Sequence, residues 1–197
     1  MILKQCFMQK SICIAIALCF LFACTNNGGS RRATGQQKEA SPPAAAGQKS
    51  IPAETSKRVG NTTIKIAYTA PAVRGRVIWG ELVPYNKVWV TGAHMATSLE
   101  VGKDFRVGSK TIPAGKYALF TIPGKEEWTV ILNKNWNQHQ ADKYKESEDV
   151  VRLKVKPQTM EQVVERLKYE IDQTGERTAN IVITWEKIRV PFSIEIV

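Results

Sequence analysis

Hydrophobic positions recur with period two over most of the chain after residue 57. Ile64, Ile66 and Tyr68 alternate with Thr63, Lys65 and Ala67, and Val151, Leu153 and Val155 alternate with Arg152, Lys154 and Lys156. Ile188, Val190, Phe192, Ile194 and Ile196 do the same around Arg189, Pro191, Ser193 and Glu195. Successive side chains of a strand point to opposite faces, so each run predicts a strand with one face buried. Tyr117 to Ile122, Trp128 to Leu132 and Asn180 to Trp185 are more continuously apolar, the pattern of central strands covered on both sides. Gly108-Ser109, Pro113-Ala114-Gly115 and Ile122-Pro123-Gly124 punctuate them as turns.

One segment reads two ways. Met160, Val163, Val164, Leu167 and Ile171 suit a helical face, with Thr159 and Gln162 as a capping pair, while Leu167, Tyr169 and Ile171 alternate as a strand does. The strand is preferred for 165–171, with room for one helical turn over 159–163. The prediction is an all-β domain, an antiparallel β-sandwich or jelly roll of about eight to nine strands.

The first 56 residues behave differently. Lys4 and Lys10 precede an apolar run from Ser11 to Phe22, about 12 residues against the roughly 20 needed to span a bilayer. Leu21-Phe22-Ala23-Cys24 then reads as a lipobox, which predicts a signal peptide over 1–23 and acylation, palmitate included, of Cys24. The other cysteines, Cys6, Cys13 and Cys19, all lie in the signal, so cleavage leaves Cys24 alone in the mature chain. Avoiding thiols suits an oxidising compartment. Thr25 to Ser56 is rich in Gly, Ser, Pro, Ala and Gln, with Ile51 its one large apolar side chain, and is expected to be a disordered tether. The expected organisation is signal 1–23, lipidated cysteine and tether 24–56, and one β domain over 57–197. The expected location is the cell envelope, on the outer membrane facing the periplasm, because no acidic stretch follows Cys24.

Charge narrows the partners. The chain carries a net +10, and six of its 28 basic and two of its 18 acidic residues precede Lys57, leaving the domain 22 against 16. Arg152, Lys154 and Lys156 share one strand face and Arg74, Arg76 and Lys87 form a second group, which could attract anionic headgroups or glycans. Lysines along an edge strand also guard against aggregation, and this plainer reading carries more weight. No base-stacking motif appears and an exported chain does not meet nucleic acid, so none is expected as a partner.

Three blocks carry a resemblance. Val83-Pro84-Tyr85-Asn86-Lys87-Val88-Trp89-Val90-Thr91-Gly92-Ala93, the run from Pro113 to Gly124, and Trp128-Thr129-Val130-Ile131-Leu132-Asn133 resemble, in that order, a family of exported bacterial proteins known only as a domain of unknown function. The resemblance covers about residues 62–197. It implies an all-β domain of secreted proteins and lipoproteins and brings no established activity. Where that family carries Asn-Glu, this chain has His94-Met95.

Chemistry is sparse. There is no Gly-x-Ser-x-Gly elbow and no thiol after Cys24, and Gly108-Ser109-Lys110-Thr111 lacks the frame of a phosphate loop. No catalytic residue, metal ligand or cofactor is assigned. His94 and His139 are the only histidines, and with a carboxylate from the loop 134–149 they define the alternative, a metal-assisted hydrolase. The preferred reading is a binding or structural envelope domain whose ligand, a glycan or envelope protein, is met by Trp79, Tyr85, Trp89, His94, Trp136 and His139. For the loop tryptophans the competing role is to plug the open end of the sandwich.

Overall fold

In the computed structural model, which describes residues 50–197, ten strands form two antiparallel sheets packed as a β-sandwich. The larger sheet has the order β1-β2-β3-β6-β7-β8, from strands Ser50–Val59, Thr62–Pro71, Ser98–Val101, Gly115–Ile122, Trp128–Asn133 and Asp149–Val155. The smaller has the order β5-β4-β10-β9, from Lys110–Ile112, Phe105–Val107, Thr178–Ile196 and Gln158–Gln173. One 3-10 turn, Glu146–Glu148, precedes β8. Cys24 and the signal lie outside the described residues, as does the tether as far as residue 49.

The domain begins earlier than composition suggested. Ser50 to Ser56, assigned to the tether, belong to β1, which pairs with β2 along all ten residues through a two-residue Gly60-Asn61 loop. Gly60 sits at φ 57°, the left-handed geometry such hairpin loops require. β1 is an edge strand whose side chains are mostly exposed or half-buried, so backbone pairing and not a hydrophobic stripe holds it. The other ambiguity resolves to strand throughout: residues 158–173 are continuous β9, with no helical turn at 159–163. Their pairing with β10 decides this, because Val163 faces solvent and a helical stripe there would meet no core.

Sequence pattern and burial agree in the centre. Every residue of β7 is buried, and Tyr117 to Thr121 of β6 are too. One face, with Leu119, Val130 and Leu132, enters the main core beside Ile64, Leu99, Phe105, Ile181 and Ile194. The other, with Ala118, Phe120 and Ile131, is covered by Val90 and Ala96 and by Ala141 and Tyr144 of the 134–149 loop. β10 is one strand bent where Glu186 takes φ 54° between two register shifts. The bend brings its ends together: the Ile196 amide donates to the Arg177 carbonyl at 2.8 Å and the Ser193 hydroxyl to the Asn180 side-chain oxygen at 2.8 Å.

β8, carrying Arg152 and Lys154 with Lys156 directly after its end, closes the six-stranded sheet as an edge. Arg152 pairs with Asp149 at 2.9 Å and Glu146 at 3.3 Å, and Lys154 with Glu127 at 3.0 Å. Local carboxylates thus answer two of the three cations, which fits edge protection better than an anion-binding face.

Candidate functional site

The long connection between β2 and β3 builds the site. Where β3 ends, Asn86 to Thr91 take its place beside β6: the Trp89 amide donates to the Thr121 carbonyl at 2.8 Å, the Thr121 amide returns the bond at 3.0 Å, and the Asn86 amide meets the Pro123 carbonyl. Upstream, Ile78 and Val83 enter the main core, tied by a 2.8 Å bond from the Val83 amide to the Ile78 carbonyl. Tyr85 packs over Gly80, where even a Cβ would stand 3.1 Å from the ring.

Four of the five tryptophans meet here. Trp79 sits edge-on to Trp128 at 5.0 Å and to Trp89 and Trp185 at 5.8 Å, while Trp89 and Trp185 stack at 5.7 Å and 20°. The cluster joins the long loop to both sheets, so Trp79 and Trp89 do plug the sandwich. Burial and edge-to-face geometry each stabilise such a cluster, by about 0.5–1.5 kcal/mol per ring pair beyond area alone. Trp89 also donates from Nε1 to the Gly92 carbonyl at 3.2 Å, whereas the buried Nε1 of Trp79 has no partner among the described residues.

The two histidine-bearing segments converge. Met95 and His139 form an antiparallel bridge, the Gln140 amide donates to the His94 carbonyl at 2.6 Å, and the Ala96 amide donates to the Gln138 carbonyl at 2.9 Å. On one side of this strap lies a cleft of about 440 Å³ walled by Trp89, Trp185, Val83, Val90, His94 and Gln140, with Arg76, Leu82, Gly92 and Ser50 also reaching it. On the other side a depression of about 280 Å³ is lined by Met95, Trp136, Lys116, Asn137 and Tyr68. Trp136 is 39 % exposed and Lys116 Nζ lies 4.1 Å from its ring centroid.

The backbone is strained at the cleft wall, at His94 and Gln140, and directly behind it, at Thr91. Thr91, His94 and Gln140, none of them glycine, take φ of 51°, 63° and 46°. Such left-handed residues cost about 1–3 kcal/mol each and concentrate at functional sites. Histidine tolerates the conformation better than β-branched threonine, which makes Thr91 the sharpest outlier. It is fully buried and over-determined: its carbonyl accepts from Tyr169 Oη at 2.7 Å and Thr97 Oγ1 at 3.0 Å, and its own Oγ1 lies 2.9 Å from Thr121 Oγ1. Gly92 follows because a Cβ there would stand 2.9 Å from Thr97 Oγ1. The imidazole of His94 and the amide of Gln140 make no hydrogen bond among the described residues and are free to meet a ligand.

The loop 134–149 is fastened from its ends. Buried Asn133 donates to the Lys145 carbonyl at 3.0 Å and to Asp149 Oδ1 at 2.7 Å, and its Oδ1 accepts from the Asn135 amide. Tyr144 donates to Asp149 Oδ2 at 2.7 Å. Burial first, then that carboxylate, pushes the Tyr144 hydroxyl well above its usual range.

Of the six residues singled out in sequence, Trp89 and His94 therefore line the cleft and Trp136 the neighbouring depression. Trp79 and Tyr85 pack beneath, and exposed His139 pairs with Asp142 at 2.9 Å. Among the described residues no three His, Cys, Asp or Glu side chains gather as a metal-binding group, so the two histidines lack the third protein ligand that a catalytic zinc takes. Sequence reading missed Leu82, Gln140 and Trp185 as cleft residues. Arg76 was noticed only for its charge.

The class this defines is an antiparallel β-sandwich with an aromatic-walled cleft at the strap between two loops. The family described as Protein of unknown function (DUF2911) matches residues 50–194, and the chain belongs to it. The match begins at Ser50, the first residue of β1, and so takes in the strand assigned to the tether. No curated protein and no solved structure matches the chain.

Proposed function

We propose that this chain is an envelope lipoprotein, anchored by acylated Cys24, whose sandwich binds an envelope component in the cleft between Trp89, Trp185 and His94. The carrying observation is the pairing of strain with unused polar groups: His94 and Gln140 are both left-handed, joined by a 2.6 Å backbone bond, and leave their side chains free at an apolar cleft. Binding sites commonly combine apolar walls with a few placed polar groups in this way, at about 300–1,000 Å³. The lipobox and the cysteine-free remainder of the chain support the anchor.

Fractionation of cells making the wild-type and Cys24→Ala chains tests the anchor. Release of the variant from the membrane fraction, or its stalled processing, is expected; unchanged membrane attachment would refute it. For the cleft, Leu82→Asp puts a charge at a residue 44 % exposed on its wall and is expected to abolish ligand binding while leaving the fold intact.

A further inference from the structure

The cleft has a chemical bias. Its walls are mostly apolar, from Trp89, Trp185, Val83, Val90, Leu82 and Pro71, and its one full charge is the guanidinium of Arg76. No Asp or Glu lines it; Glu81 and Glu186, next in sequence to Leu82 and Trp185, do not reach its wall. Glu165 nearby accepts the backbone amide of Arg74 at 2.9 Å.

Arg76 is held in place. Its Nε donates to the Val73 carbonyl at 3.1 Å and its Nη2 to the Ala72 carbonyl. Those bonds use two of the five guanidinium N–H groups and leave the rest for an acceptor. A guanidinium already fixed by backbone bonds loses little rotamer freedom when it binds an anion. His94, on the same cleft, supplies a second donor.

From this arrangement we infer that the ligand is an amphiphilic anion, with an acyl or similar apolar body along Trp89 and Leu82, above buried Trp185, and an acidic head on Arg76. The inference rests on the cleft reading above and names its ligand class. Position on the chain agrees with it. Ser50 lines the cleft and follows Cys24 by 26 positions, so an acylated Cys24 would tether the cleft to the lipid surface, where amphiphilic anions are supplied.

The test uses the full-length Cys24→Ala chain, which carries no acyl group of its own to compete, and follows tryptophan fluorescence during titration with monomeric dodecanoate. Dodecan-1-ol and dodecyltrimethylammonium have the same chain with a neutral and a cationic head. A saturable response to dodecanoate, at least about tenfold tighter than to the cation, is expected. Arg76→Gln is expected to weaken dodecanoate about tenfold and leave dodecan-1-ol unchanged, with near-ultraviolet circular dichroism reporting an intact fold. A dodecanoate response unaltered by Arg76→Gln would overturn the proposal. So would binding to phosphatidylglycerol vesicles with none to the monomer, which would mark a surface for bilayers. If dodecanoate fails but a delipidated envelope extract still gives a response that Leu82→Asp removes, the ligand class is wrong and the cleft reading stands. Loss of both responses rejects the cleft as well.

Discussion

The phenol of Tyr169 on β9 donates a 2.7 Å hydrogen bond to the carbonyl of Thr91, 78 positions earlier in the chain. One sheet thereby pins the strained turn that the other sheet's long loop brings to the cleft. The same tyrosine meets Tyr68 of β2 at 4.7 Å between ring centroids, and its backbone amide donates to the Tyr68 hydroxyl oxygen at 3.3 Å. Fold and site share this joint.

Tyr169→Phe should therefore act in two ways. Losing one buried bond costs about 1 kcal/mol, a fall of about 2–4 °C in Tm, since Thr97 still satisfies the Thr91 carbonyl. Burial also pushes the Tyr169 hydroxyl well above its usual 10.0, and Tyr68 and Tyr144 move the same way. The unfolded chain releases these protons at lower pH than the folded one. Their contribution is full below about pH 10 and is lost as pH rises beyond it, by up to about 1.4 kcal/mol per pH unit for fully buried Tyr169 and by less for the more solvent-screened Tyr68 and Tyr144. Denaturant unfolding between about pH 9 and 11 should show a steep alkaline loss in the wild type and a shallower one in Tyr169→Phe; parallel slopes would contradict the assignment.

Asn133 fastens the loop that carries Gln138 to Gln140. Asn133→Ala leaves the Asn135 amide and the Lys145 carbonyl without their side-chain partner and should cost about 1–3 kcal/mol. Hydrogen exchange is the measurement: the amides of Ala96 and Gln140 should lose protection before those of β7, because their acceptors lie across the strap.

Trp185 and Trp136 should separate packing from surface. Trp185→Ala removes a fully buried ring from the tryptophan cluster, at about 3–5 kcal/mol. Trp136→Ala removes a ring that is partly exposed and in contact with Lys116, and should stay within about 0.5 kcal/mol. Thermal unfolding of the two variants decides it, and equal losses would mean that Trp136 is a core residue.

Much of the sandwich was legible in the chain because its strands advertise themselves. The alternation at Ile64, Ile66 and Tyr68, and the unbroken apolar runs of β6 and β7, correspond to one buried face and two. β1 was not legible because an edge strand held by backbone bonds needs no hydrophobic stripe, and Pro52 with its small polar neighbours looked like linker. Residues 158–164 misled through apolar spacing that never meets a core. At the site, Trp89 and His94 stood out by residue type. Gln140 and Trp185 did not, since only tertiary pairing across the Met95 to His139 bridge and the tryptophan stack brings them to the cleft.

A photoreactive benzoylphenylalanine in place of Ala93, on the cleft wall, tests the central claim most directly when irradiated in intact cells. A discrete amphiphile adduct on the protein at position 93, absent when the same residue replaces exposed Lys156 just after β8, is the predicted result. No adduct at position 93, or the same adducts at both positions, would contradict it.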